Sequence, residues 1–189
     1  MVLKHIEEHA KYVEITGFKN VKIENPEALL KKIRSKSDTN VSVQFFNAKL
    51  ICTWEHIYFA VLNALMMFGT KRNISKNLAV EVMLYASAQR QIRKGINFIG
   101  VKPDCQNLGV VVIGETLKGV KTTVSAISEL FGQQPNEKVL ELSIEKVQEI
   151  RRAFIITEKE LKVVTKKDDA ERALIDLVIE RMALLSTKL

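Results

Sequence analysis

The chain has 189 residues, of which 47% are apolar and 27% charged, and it carries a formal net charge of +7. That composition suits a single soluble domain over residues 1–189 with its own core. No stretch approaches the ~20 uncharged apolar residues of a membrane-spanning helix. Two cysteines, Cys52 and Cys105, are too few for a disulfide framework and fit a reducing, cytoplasmic setting.

Residues 1–10 are expected to form a charged, frayed terminus; Lys4, Glu7, Glu8 and Lys11 without an apolar run are unlike a signal peptide. His5 and His9 share a face only if that segment is helical, and no third metal ligand lies nearby in sequence. Lys11 to Phe18 alternates as a strand, with Val21 to Ile23 read as its extension past a turn at Gly17. Asn25-Pro26-Glu27 opens a helix, with Asn as N-cap, Pro at N1 and an acid in the first turn. That helix runs to about Lys36. Val41 to Phe46 is a strand with Val41, Val43 and Phe45 on one side, and Lys49 to Cys52 has the length of a short return strand. Thr53 is placed to cap Trp54 to Phe68, which is apolar almost all round and so marks the buried centre.

Ser75 is placed to cap a third helix, Lys76 to Ala88. Gln89 to Ile99 either continues it or restarts after a break. Asn107 to Ile113 is a buried strand, and Leu117 to Phe131 is a helix closed by Gly132 in the αL position. Ser143 caps a helix to about Phe154, and Thr157-Glu158-Lys159-Glu160 is a capping-box pattern. Asp168-Asp169-Ala170-Glu171 opens the last helix, which reaches about Leu185. The sum is a helix-rich α+β fold with a small, mostly antiparallel sheet.

The sequence carries no G-x-x-x-x-G-K-[ST] loop, no G-x-G-x-x-G after a strand and no C-x-x-C pair. His56 lies in the buried helix without a nucleophile partner, which reads as a core histidine rather than a catalytic base. Cys105 beside Asp104 is read as structural, since reactivity needs exposure and nearby positive charge. No catalytic residue, metal site, cofactor or small-molecule substrate is assigned, and the chain is read as not an enzyme.

The positive excess is local. Residues 71–102 hold seven basic side chains and one acidic, or +6, while the remainder is close to balance. Such a patch is either a phosphate-binding surface or a solvated helix face. Lys71-Arg72-Asn73-Ile74-Ser75-Lys76 leads into a helix entrance, where free amides and the macrodipole favour an anion. Arg90, Arg93, Lys94 and Asn97 recur on one helical face, with Ile92, Ile96 and Ile99 read as the opposite, core-facing side. Gln89, Gln91 and Asn73 add amides able to read base edges, and an exposed Tyr85 or Phe98 would stack an unpaired base.

The strings FNAKLICTWEHIYFAVLNALMMF and KRNISKNLAVEVMLYASAQRQIRKGINFIGV resemble the small accessory subunit of the KEOPS complex, the PRPK-binding protein (TPRKB) family. The resemblance rests on Asn47-Ala48, Glu55-His56, Asn63-Ala64, Asn73-Ile74-Ser75, Glu81, Leu84-Tyr85-Ala86-Ser87, Arg90-Gln91-Ile92 and Gly100-Val101. It is strong from Val43 to Val101 and collinear beyond, through FIITEKEL and ALIDLVIERMALLS; before Val41 little matches. Ala88 stands where the family often has Gly. Gly95 stands where it usually has Ala, and is expected to loosen its helix by ~0.5–1 kcal/mol. The Lys/Arg content resembles archaeal members.

The resemblance implies a compact two-layer α/β domain that docks on a PRPK-type kinase/ATPase. That kinase belongs to the assembly that installs threonylcarbamoyl on the adenosine next to the tRNA anticodon. In archaeal relatives the subunit binds the single-stranded 3′ CCA end of tRNA. The function implied is a non-catalytic, cytoplasmic, tRNA-binding regulatory subunit in tRNA processing. The tRNA contacts implied are Lys71, Arg72, Asn73, Ser75, Lys76, Arg90, Gln91, Arg93 and Lys94. Helix capping competes for Asn73 and Ser75, and an ion pair with Glu81 competes for Arg90. Leu174, Ile175, Val178, Ile179 and Met182 of the last helix are assigned to kinase docking, against a helix buried on two sides. The alternative function is a protein-only activator of the kinase with no RNA binding of its own.

Overall fold

Leu108-Gly109-Val110-Val111-Val112-Ile113-Gly114 offers a strand no polar face, so a sheet built on it has to be covered on both sides. In the computed structural model, which describes residues 1–36, 40–166 and 169–187, this segment is β4 (Leu108–Gly114), buried along its whole length. The sheet order is β1-β2-β4-β3, with β1 (Val2–Ile6), β2 (Lys11–Phe18) and β3 (Val41–Asn47). All three ladders are antiparallel, and their register sets Val13 opposite Ile113, Ile15 opposite Val111, and Val43 opposite Val112.

Alternation then sorts the side chains. Val13, Ile15, Phe46, Val111 and Ile113 pack against Ile57, Val61 and Leu65 of α2 (Trp54–Gly69) and Val82 and Leu84 of α3 (Leu78–Ala86). Val43, Phe45, Val110 and Val112 pack against Ile33 of α1 (Pro26–Arg34) and Val120, Val124 and Ile127 of α5 (Leu117–Phe131). The fold is α+β as expected. The two-layer arrangement is corrected to helix, sheet, helix, because β4 leaves no face that tolerates water. A further cluster joins Cys52 to Ile150 of α6 (Ile144–Ala153), Leu161 of α7 (Glu158–Val164), and Leu174 and Val178 of α8 (Ala170–Ala183).

Several expectations change in detail. Residues 1–10 are not frayed: β1 satisfies the open edge of β2, and a 3-10 turn at Glu7–His9 joins them. His5 stacks on Tyr12 with centroids 4.3 Å apart, so the two histidines share no helical face. Val21 to Ile23 is loop, and Gly17 is straight strand. A Cβ on Gly17 would lie 2.8 Å from Asn136 O, and the Asn136 amide donates to Gly17 O at 2.8 Å. Lys49 to Cys52 does not return as a strand, because the Asn47 side chain accepts from the Lys49 amide and starts a 3-10 turn.

Asn25 caps α1, Gly132 closes α5 at φ 62°, Ser143 caps α6, and Thr157 with Glu160 forms the capping box of α7. Asp169 caps α8, while Asp168 lies outside the described residues. Thr53 holds the N-cap position of α2 without making the cap bond. The nearby Cys52 amide is served instead by His56, whose Nδ1 accepts from it at 3.3 Å. His56 Nε2 then carries the proton and donates to Ala86 O at 2.8 Å, tying the start of α2 to the end of α3.

Burial pushes His56 down from 6.5 to about 4 and pushes the Cys52 thiol up to about 12, the opposite of an activated thiol. A depressed histidine pKa means that the unfolded chain binds the extra proton first as pH falls. Stability is expected to be full above pH ~6.5 and to decline toward pH ~4 by up to roughly 3 kcal/mol. Urea unfolding across that window checks it; a stability flat from pH 7 to 4 would contradict the neutral, buried imidazole.

Candidate nucleic-acid interface

Ala79 and residues 81–86 are all buried, so α3 is a core rod. The basic turn 71–76 enters it, and α4 (Ile92–Ile99) follows it. A nine-residue helix is ~13 Å long, and the two basic elements therefore stand at opposite ends of α3 rather than side by side.

At the first end the expected anion site is already filled. Glu81, 0% exposed, accepts from the amides of Ile74 at 3.0 Å and Ser75 at 2.6 Å. Ser75 Oγ accepts from the Asn77 amide, and Asn73 Nδ2 donates to Ser75 O. Asn77, not Ser75, caps α3 by accepting from the Val80 amide at 3.2 Å. A cap is worth ~1 kcal/mol, whereas amides donating to a buried carboxylate are worth ~1.5–3 kcal/mol each, so Glu81 decides the shape of the turn. Asn73 and Ser75 are thereby committed to the turn. Lys71, Arg72 and Lys76 are exposed around it.

At the other end Ala88 turns the chain at φ 50°, which accounts for the glycine common in the family at that position. Gly95 is the point where α4 meets α3. A Cβ there would sit 3.1 Å from Ser87 Oγ and 3.4 Å from Leu84 Cδ2, so its absence seats α4 on α3. This also rotates the helix from the expected orientation. Gly95 and Ile99 face inward, while Ile92 and Ile96 are 44% and 49% exposed. Arg90, Gln91, Arg93, Lys94 and Asn97 are exposed beside them, with Arg90 Nη1 donating to Leu185 O at 3.4 Å.

Tyr85, expected as a stacking surface, is 1% exposed and belongs to the core. Phe98 is half-buried and meets Phe154 edge-on, with centroids 5.1 Å apart. Together they back a cavity of about 350 Å³ whose rim includes Ser87, Gln89, Ile155 and Arg181. Arg181 is held there by an ion pair with Glu160. No local pattern announces this cavity: FIIT lies far along the chain from α4, and only the packing of α6 and α8 brings them together.

The α8 residues expected at the kinase surface lie largely inside the fold. Leu174, Ile175, Val178 and Met182 are at most 7% exposed, and Ile179 is half-buried against the core. Both apolar stripes of α8 are internal: Leu174, Ile175, Leu177 and Val178 join the cluster around Cys52, and Met182 joins the core beneath α2 and α3. Partly exposed apolar surface lies instead along α2, where Trp54, Tyr58, Leu62 and Met66 recur every fourth residue and Met66 is 46% exposed.

The family model described as kinase binding protein CGI-121 matches residues 18–186. The chain belongs to the CGI-121 family. Regulatory protein Cgi121 of Methanocaldococcus jannaschii is 34% identical to it over 113 residues, covering 60% of this chain and 70% of that protein. This is the small-subunit family that the central strings resemble. The CGI-121 match extends to residue 18, upstream of Val41, before which little resemblance was visible.

Glu81→Ala should leave the Ile74 and Ser75 amides without their acceptor and destabilise the fold by about 3 kcal/mol. Urea unfolding measures it, with Arg72→Ala as a surface control expected within ~0.5 kcal/mol of the parent.

Proposed function

We propose that the chain is a non-catalytic, kinase-binding regulatory subunit of the KEOPS tRNA-modification assembly, and that it brings in tRNA by the single-stranded 3′ CCA end. The observation that carries the RNA part is the corner between α3 and α4. There Arg90, bonded to Leu185 O, adjoins a cavity walled by Gln89, Phe98, Phe154 and Leu185, and Arg93 and Lys94 stand exposed on the helix that carries Phe98. An unpaired nucleotide needs cations for its phosphate, an apolar wall for its base and an amide for a base edge. Lys71, Arg72 and Lys76 take phosphates farther along the strand. Gln91 is an exposed polar contact, while Asn73 and Ser75 hold the turn rather than the ligand.

Kinase binding rests on the family's description and on the regulatory title of the archaeal relative. The kinase docks on the α2 stripe of Trp54, Tyr58, Leu62 and Met66, the apolar surface left over once α8 is buried. The work is done in the cytoplasm, and among the described residues no helix is long and apolar enough to cross a membrane. The alternative, a protein-only regulator of the kinase without RNA binding, draws on the occupation of the α3 entrance by Glu81, which removes one of the two expected phosphate sites.

The double variant Arg90→Glu, Arg93→Glu should bind tRNA at least tenfold more weakly and with a shallower salt dependence, because fewer counterions are released. Removing CCA from the tRNA should have a similar effect. Gel shifts with both tRNAs decide it: parent-like affinity in the double variant excludes the site, and tight binding of tRNA without CCA excludes the mode. Leu62→Asp with Met66→Asp should abolish co-purification with the kinase subunit and leave tRNA affinity within about twofold. Retained co-purification would place the kinase elsewhere.

A further inference from the structure

Glu14 has no role in the surfaces described so far. It lies in the middle of β2 on the side facing α5, and it is 0% exposed. Lys121 Nζ stands 3.0 Å from its Oε2, yet neither carboxylate oxygen receives a hydrogen bond of acceptable geometry. An ionised carboxylate has room for about four donors, and burying one so poorly served is costly.

The carboxylate lies at the floor of a cavity of about 660 Å³ between α5 and the segment 132–137. Glu129 and Glu137 add two more carboxylates to its walls. Ser128 donates its hydroxyl proton to Val124 O, which leaves its oxygen as an acceptor for anything in the cavity. The C-terminal end of α5, closed by Gly132, borders the same space, and the carbonyl end of a helix favours positive charge. Lys121 and the Met1 amino group are the cations present, and the latter pairs with Glu137. In a chain of net charge +7, acceptors are concentrated here around one buried, under-served acid.

We propose that this cavity binds an aliphatic ammonium ion, with its charged head on Glu14, its alkyl chain along Val124, and a second ammonium group between Glu129 and Glu137. The Lys121 side chain, 41% exposed, swings outward to admit it. A compact metal ion fits less well, since the described residues bring no three His, Cys, Asp or Glu side chains together, and the space suits an extended molecule. Two sources share the ammonium head on Glu14: a free polyamine, which also supplies the second group, and the lysine side chain of a partner protein, which engages Glu14 alone.

Calorimetric titration of the full chain with spermidine tests the site, with Nα-acetyl-lysine amide as the second ligand and magnesium chloride as the charge control. Saturable spermidine binding is expected. It should weaken at least tenfold in Glu14→Gln and about threefold in Glu129→Gln, and stay unchanged in Glu7→Gln. Binding of the lysine derivative alone, with the same dependence on Glu14, assigns the site to a protein side chain. Lys121→Met removes the competing ammonium and should tighten spermidine binding severalfold, which keeps the test decisive if Glu14→Gln folds poorly. The proposal is overturned by absence of saturable binding to either ligand, by parent-like affinity in Glu14→Gln, by unchanged affinity in Lys121→Met, or by equal displacement with magnesium.

Discussion

A strand with no polar face has to be roofed twice. β4 imposes that demand, and most of the architecture follows from meeting it. Each fully buried aliphatic side chain contributes about 2 kcal/mol, and β4 presents Val111 and Ile113 to one side and Val110 and Val112 to the other. α2 with α3 must therefore cover one face, and α1 with α5 the other. Once α3 is drawn into the core, its exposed ends are the places left for charge. The separation of the two basic elements is a consequence of burial rather than of any electrostatic preference.

Glu81 shows how a local rule gives way to a tertiary one. A helix entrance flanked by Lys71, Arg72 and Lys76 has the amides and the charge to hold a phosphate. Here the fold spends those amides on its own carboxylate, which arrives from the first turn of α3. The turn is thus internally bonded and its lysines and arginine are presented outward, which suits a role in electrostatic attraction more than in close phosphate grip. The opposite end keeps both charge and a cavity, and the reading of the protein as an RNA-binding subunit rests there.

Gly95 and α8 teach the same lesson about packing. Glycine in a helix lowers intrinsic stability, and that reasoning alone predicts a loose α4. In place, the missing Cβ allows α4 to lie against Ser87 and Leu84, and the rotation this requires turns Ile92 and Ile96 outward. α8 has more apolar surface than one face needs, which is the mark of a docking helix or of one held between two clusters. The fold uses both stripes internally.

The sequence by itself determined the α+β class, the extents of β2, α1, β3, α2, β4, α5 and α6 to within a residue or two, the caps Asn25, Ser143 and Thr157, and the concentration of charge in residues 71–102. These depend on periodicity, capping and composition, which are properties of neighbouring residues. It also carried enough of the central motif to point to the family. Tertiary structure alone decided that residues 2–6 pair as an edge strand, that Glu81 fills the entrance of α3, that α4 turns Ile92 and Ile96 to solvent, and that the α6–α7 corner walls a cavity beside Arg90. Each of these depends on which distant segment arrives to fill an open edge, an unpaired amide or a missing Cβ, and no local pattern records that arrival.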